Sequence, residues 1–154
     1  MNRRLLAALA ATLLLLLSAC ANRTGTAANG TGASTEPSPA GVTLSLVRSG
    51  GFAGVKDEIT VDPGGTWTAA DRAGNRRTGQ LTDAQRIALQ GLAADPRLRQ
   101  EAARVPSPTS CADFYSYALT VNGMRISFVD CPTDTDRPEA AHAIVMLVTQ
   151  AVGT

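Results

Sequence analysis

Asn122-Gly123 stands between two runs in which apolar and polar residues alternate, and this pair is the strongest short-range signal for a two-residue β-hairpin. Both central positions of such a turn need positive φ, which Asn and Gly tolerate. The turn sets a register in which Val121 faces Met124, Leu119 faces Ile126 and Tyr117 faces Phe128. Every partner on that face is apolar, so the turn and the hydrophobic pattern select the same pairing. A slip of one residue would carry the whole apolar set to solvent. The chain must therefore build an antiparallel sheet with one buried face and supply something apolar to cover it.

The preceding sequence supplies more strands and a cover. Residues 42–48 alternate, with Val42, Leu44 and Leu46 on one face, and residues 55–62 alternate with Val55, Ile59 and Val61. A glycine-rich connection, Ser49-Gly50-Gly51-Phe52-Ala53-Gly54, joins them. Asp62-Pro63-Gly64-Gly65 turns the chain into a strand over 66–71, and Ala73-Gly74-Asn75 turns it into 76–81, giving a four-stranded meander. Thr82 and Gln85 form a capping box that opens a helix with Ala84, Ile87, Ala88, Gly91 and Leu92 on one stripe. Asp95-Pro96 ends that helix or begins a second short turn, and residues 100–110, with two prolines, read as a loop. A last helix follows Pro138, its stripe made of Ala141, Ile144, Val145, Val148 and Val152, with Asp134 and Asp136 placed to cap it or to hold a cation. The expected fold class is α+β: a single small domain in which an antiparallel β-sheet of about six strands, arranged in hairpins, packs against two α-helices.

The N-terminus is of another kind. Arg3 and Arg4 precede an apolar run over 5–17 broken only by Thr12, the n-region and h-region of a secretory signal. The run is shorter than the roughly 20 residues that a membrane span takes. Leu17-Ser18-Ala19-Cys20 resembles the lipobox of bacterial lipoproteins, which implies that Cys20 carries a diacylglycerol and becomes the mature N-terminus. Residues 1–19 are then a lipoprotein signal peptide and residues 20–40 a lipid-anchored flexible linker. Residues 21–40 hold no Val, Leu, Ile or aromatic residue and cannot offset their own ordering entropy by burial. As a coil they average about 25 Å end to end. The globular domain is 41–154, expected on the extracytoplasmic side of the cell membrane.

Without Arg3 and Arg4 the 14 Lys and Arg fall to 12, against 13 Asp and Glu. A formal charge near −1 argues against nucleic acid as a partner, because binding to phosphates needs a basic face. With Cys20 lipidated, Cys111 and Cys131 are the remaining cysteines, and an oxidising compartment favours a disulfide between them over two buried thiols. In the hairpin register Cys131 falls opposite Phe114, so the bridge needs the chain to curl back before the strand. His142 is the single histidine, with no second ligand at metal spacing, no nucleophile elbow and no phosphate-binding loop. Neither a catalytic residue, a metal nor a cofactor is expected, and the domain reads as a binding module.

The stretch V-T-L-S-L-V-R-S-G-G-F-A-G-V over 42–55 resembles the opening of the emfourin family, proteinaceous inhibitors of thermolysin-like metalloproteases. Residues 113–121, D-F-Y-S-Y-A-L-T-V, are similar to that family's later strand, and the order hairpin, helix, hairpin, Pro-started final helix agrees. The chain departs from the family in its lipobox, its cysteine pair, an inserted hairpin over 64–80 and the absence of an aromatic segment after the first helix. The resemblance implies an inhibitory or partner-binding loop formed by Arg48, Ser49, Gly50, Gly51, Phe52, Ala53 and Gly54, with an extracellular metalloprotease as partner. Glycines placed only for the turn are the simpler reading of that loop. Against it, Phe52 at a loop tip is hard to bury and suits a contact site. The alternative is a non-inhibitory structural or assembly lipoprotein of the cell envelope.

Overall fold

A computed structural model describes residues 41–106 and 108–154; the expected signal peptide, Cys20 and the expected linker lie outside the described residues. Six strands form one antiparallel sheet: β1 (Leu44–Gly50), β2 (Val55–Val61), β3 (Thr66–Ala70), β4 (Arg76–Gln80), β5 (Tyr115–Val121) and β6 (Met124–Val129). Their spatial order is β4-β3-β2-β1-β5-β6. Among the described residues three helices accompany them: α1 (Asp83–Ala93), α2 (Arg97–Ala102) and α3 (Glu139–Val152). The α+β class and the single antiparallel sheet agree with expectation.

The β5–β6 hairpin has the expected register, Val121 opposite Met124 through Tyr117 opposite Phe128. Asn122 and Gly123 both take positive φ. Asn122 has a second use, since its side-chain oxygen accepts from the Thr43 N–H (3.1 Å) and its own N–H donates to the Thr43 carbonyl (2.9 Å). These bonds tie the turn to the strand entering β1. Central β1 pairs with β2 on one side and β5 on the other. Its Leu44 and Leu46, with Ile59, Val61, Leu119, Val121 and Ile126, make the buried face. At the β4 edge, Trp67 lies opposite Gly79, where a Cβ would come 2.3 Å from the indole, so only glycine leaves room for the ring.

The last helix buries Ala141, Ile144, Val145, Val148 and Val152, the whole expected stripe. It starts after Pro138 and stops at left-handed Gly153. The capping box of α1 is present, but its buried face is not the expected stripe. Leu89 is buried, Leu92 and Ala93 pack partly against the core, and Ile87 is 64% exposed. Leu92 belongs to both readings of the helix, and the core takes the stripe that adds Leu89 to it in place of the one that adds Ile87.

Residues 97–102, placed partly in a loop by sequence, form α2. Asp95 starts it by accepting from the Arg97 N–H (2.9 Å), and Leu98 anchors it with no exposed surface. Six residues are too few to show a helical period. This helix also supplies a cap for α3 that the sequence did not indicate. Its buried Glu101 accepts from the Ala140 and Ala141 N–H groups, both at 2.9 Å. Pro138 has no side-chain donor or acceptor to do this, so a carboxylate from a distant helix satisfies two of the free N–H groups and faces the positive end of the helix dipole.

Candidate functional site

The β1–β2 connection forms a four-residue turn between Gly50 and Val55, with Phe52 at its tip and 97% exposed. Gly50, Gly51 and Gly54 all adopt positive φ. The first two also lack room for a side chain: a Cβ at Gly50 would lie 2.8 Å from the Phe114 carbonyl oxygen, and one at Gly51 2.6 Å from the Tyr115 ring. The glycines are thus fully used by the turn and by its close approach to β5. Phe52 has no such structural use.

The tip is braced from several sides. The Gly54 N–H donates to the Gly51 carbonyl across the turn (2.9 Å), and the Gly51 N–H donates to the Phe114 carbonyl (3.2 Å). Arg72, from the β3–β4 hairpin that the resemblance treats as an insertion, donates to the Gly54 carbonyl (3.1 Å). Below the tip, Arg48 faces Asp57 across the β1–β2 ladder and donates to its carboxylate through Nε (2.9 Å), with both side chains largely covered. The Arg48 guanidinium also sits 5.1 Å from the Tyr115 ring centroid. Arg48 is therefore held in the sheet beneath the loop. Ser49 points to the opposite sheet face, and Ala53 is exposed beside Phe52.

The start of β5 extends this end of the molecule. Phe114 (42% exposed) and Tyr115 are partly open to solvent beside the tip. Tyr115, Tyr117 and Phe128 follow one another inward as a ladder of tilted rings. Burial pushes the Tyr117 hydroxyl above the ordinary tyrosine range, and the Asp130 charge adds to the shift. Cys111 and Cys131 are joined by a disulfide with Cα atoms 5.8 Å apart. The chain curls back at Asp113, which takes positive φ, as the register required. The bridge thus fixes the segment whose Phe114 carbonyl receives the Gly51 N–H.

The site therefore unites Phe52 with Phe114 and Tyr115 on a frame held by Arg48, Asp57, Arg72 and the disulfide. No protein-family model matches the chain, and no curated protein is significantly similar to it. Sequence reasoning placed Phe52 at the tip but missed Phe114, Tyr115 and Arg72 as its neighbours. The run of aromatics at 114–117 was visible, but its place beside β1 depends on a long-range pairing. His142 stands apart, 3.5 Å from Asp130 through Nε2 and edge-on to Phe128. Among the described residues no three His, Cys, Asp or Glu side chains gather as metal ligands, and no helix is long and apolar enough to cross a membrane.

Proposed function

We propose that the domain is a binding module tethered to the extracytoplasmic face of a membrane through a lipid on Cys20, and that it inhibits a secreted thermolysin-like metalloprotease with its β1–β2 tip. The observation that carries this reading is Phe52, almost fully exposed on a turn whose backbone is braced by hydrogen bonds on both sides. A pre-ordered tip loses little entropy on entering a cleft, and an exposed aromatic suits an apolar subsite. The emfourin-like sequence around the loop supplies the target class, and the lipobox supplies the tether.

Phe52→Ala is expected to weaken inhibition by about 1–3 kcal/mol, roughly 5- to 150-fold. Its melting temperature should stay within about a degree of the parent, because an exposed tip residue buries little. Inhibition constants against a thermolysin-like protease, measured beside melting curves, decide it. A large loss of stability with inhibition intact would remove Phe52 from the contact.

Cys20→Ser tests the tether. The acyl chains are worth about 0.8 kcal/mol per buried methylene, so the wild-type protein should enter the detergent phase on phase separation and the variant the aqueous phase. Equal partitioning would end the lipoprotein reading.

A structural or assembly role in the envelope is favoured by a different observation, the exposed Ile87 on α1 beside exposed Ala84, Ala88 and Gly91. Ile87→Ser would impair such a role while leaving protease inhibition unchanged.

A further inference from the structure

The strand β6 ends the sheet, and its edge has the makings of a second binding site. In the β5–β6 ladder, Val121 and Met124 flank a two-residue turn, so Met124, Ile126 and Phe128 direct their N–H and C=O groups to β5. The Asp130 N–H, which donates to the Tyr115 carbonyl (2.9 Å), continues that alternation. Arg125, Ser127 and Val129 therefore direct theirs away from the sheet. Among the described residues these outward groups have no backbone partner.

A cavity of about 570 Å³ lies against this edge. It wraps the sheet margin: Val47, Ala118 and Ser127 form one row across β1, β5 and β6 on the face opposite the helices, and Glu101 and Pro138 line it from the helix side. Arg104 stands on the wall, and Asp134 and Asp136 line it as well. Arg137 lines it too, but it already pairs with Asp130 and Glu139. Arg104 and Arg125 have no carboxylate partner among the described residues. The opposite edge is built differently: β4 carries adjacent Arg76 and Arg77 and a glycine, a composition that discourages pairing.

We infer that the β6 edge takes an extended peptide as a seventh, antiparallel strand, with an acidic side chain toward its C-terminal end. Peptide groups spaced two residues apart along a sheet edge match, as a set, the complementary groups of another strand. Antiparallel entry brings the C-terminal half of the peptide to Arg125 and its N-terminal half to the Val129 end, where the chain turns through Cys131 toward Asp134. This site is separate from the β1–β2 tip and stands whether or not the tip engages a protease.

The test uses the full lipidated chain in detergent micelles and the probe peptide acetyl-Thr-Val-Thr-Val-Glu-Thr-amide. Hydrogen exchange should slow at least about tenfold at the Arg125, Ser127 and Val129 amides, and little at Ile126 and Phe128, which are already bonded in the ladder. N-methylation of one alternate set of peptide amides should cost at least about tenfold in affinity, since it removes several hydrogen bonds together, while methylation of the other set should be tolerated within about twofold. Arg125→Glu, at an exposed position, should keep the melting temperature and invert the preference between this peptide and its Lys analogue. Equal binding of both methylated peptides, protection at the β1–β2 tip in place of β6, or no protection at millimolar peptide would each overturn the inference.

Discussion

Glu101→Ala is expected to be among the most destabilising single substitutions outside the apolar core, lowering stability by about 3 kcal/mol. The carboxylate is buried and accepts two backbone N–H groups at the start of α3, each at 2.9 Å. A hydrogen bond to a charged group is worth about 1.5–3 kcal/mol, and removing the acceptor leaves two N–H groups without their partner. The attraction between the charge and the helix N-terminus is lost with it. For a domain of this size the melting temperature should fall by roughly 10–15 °C. Glu101→Gln separates the contributions, because it keeps an acceptor oxygen and loses the charge, and it should cost about half as much. Equal melting curves for wild type and Glu101→Ala would mean that α3 starts without help from α2.

Reduction of Cys111–Cys131 should have an effect of similar size. The bridged residues are 20 apart in sequence, and the chain-entropy model gives about 3 kcal/mol for closing a loop of that length. The bridge also reaches the tip. It holds the segment leading to Phe114, whose carbonyl receives the Gly51 N–H, so hydrogen exchange at Gly51 should quicken on reduction. Two free thiols by mass labelling with an unchanged melting temperature would show that the bridge adds no stability. A lower melting temperature with unchanged Gly51 exchange would show that it stabilises the hairpin without bracing the tip.

Local chemistry made much of this fold legible. Asn122-Gly123 with its apolar flanks specified the β5–β6 register, Thr82 and Gln85 specified the start of α1, and the spacing from Ala141 to Val152 specified the buried face of α3. Each is a statement about neighbours within about a dozen residues. What escaped depends on contacts between distant segments. Glu101 caps a helix 39 residues downstream, and no local pattern marks a glutamate for that task. The phase of α1 was misread because Ile87 and Leu89 head rival stripes, and only packing against distant segments, α3 among them, decides between them. The loop glycines and exposed Phe52 were legible, whereas the contribution of Phe114 and Tyr115 required knowing that β5 lies beside β1.

That placement of β1 bears on how the chain assembles in time. Leu44 pairs with Val61 and also with Val121, partners 17 and 77 residues away. The first of the described strands is thus an inner strand, and one of its two edges waits for a segment made much later. The β1–β4 meander can zip through short loops, but the central ladder closes only over a long one, and such non-local pairing slows folding. Until β5 arrives, β1 is a hydrophobic edge open to a wrong partner. Mutations that weaken β5 should therefore reveal themselves first as aggregation during biosynthesis, and only afterwards as a lower melting temperature in the protein that survives.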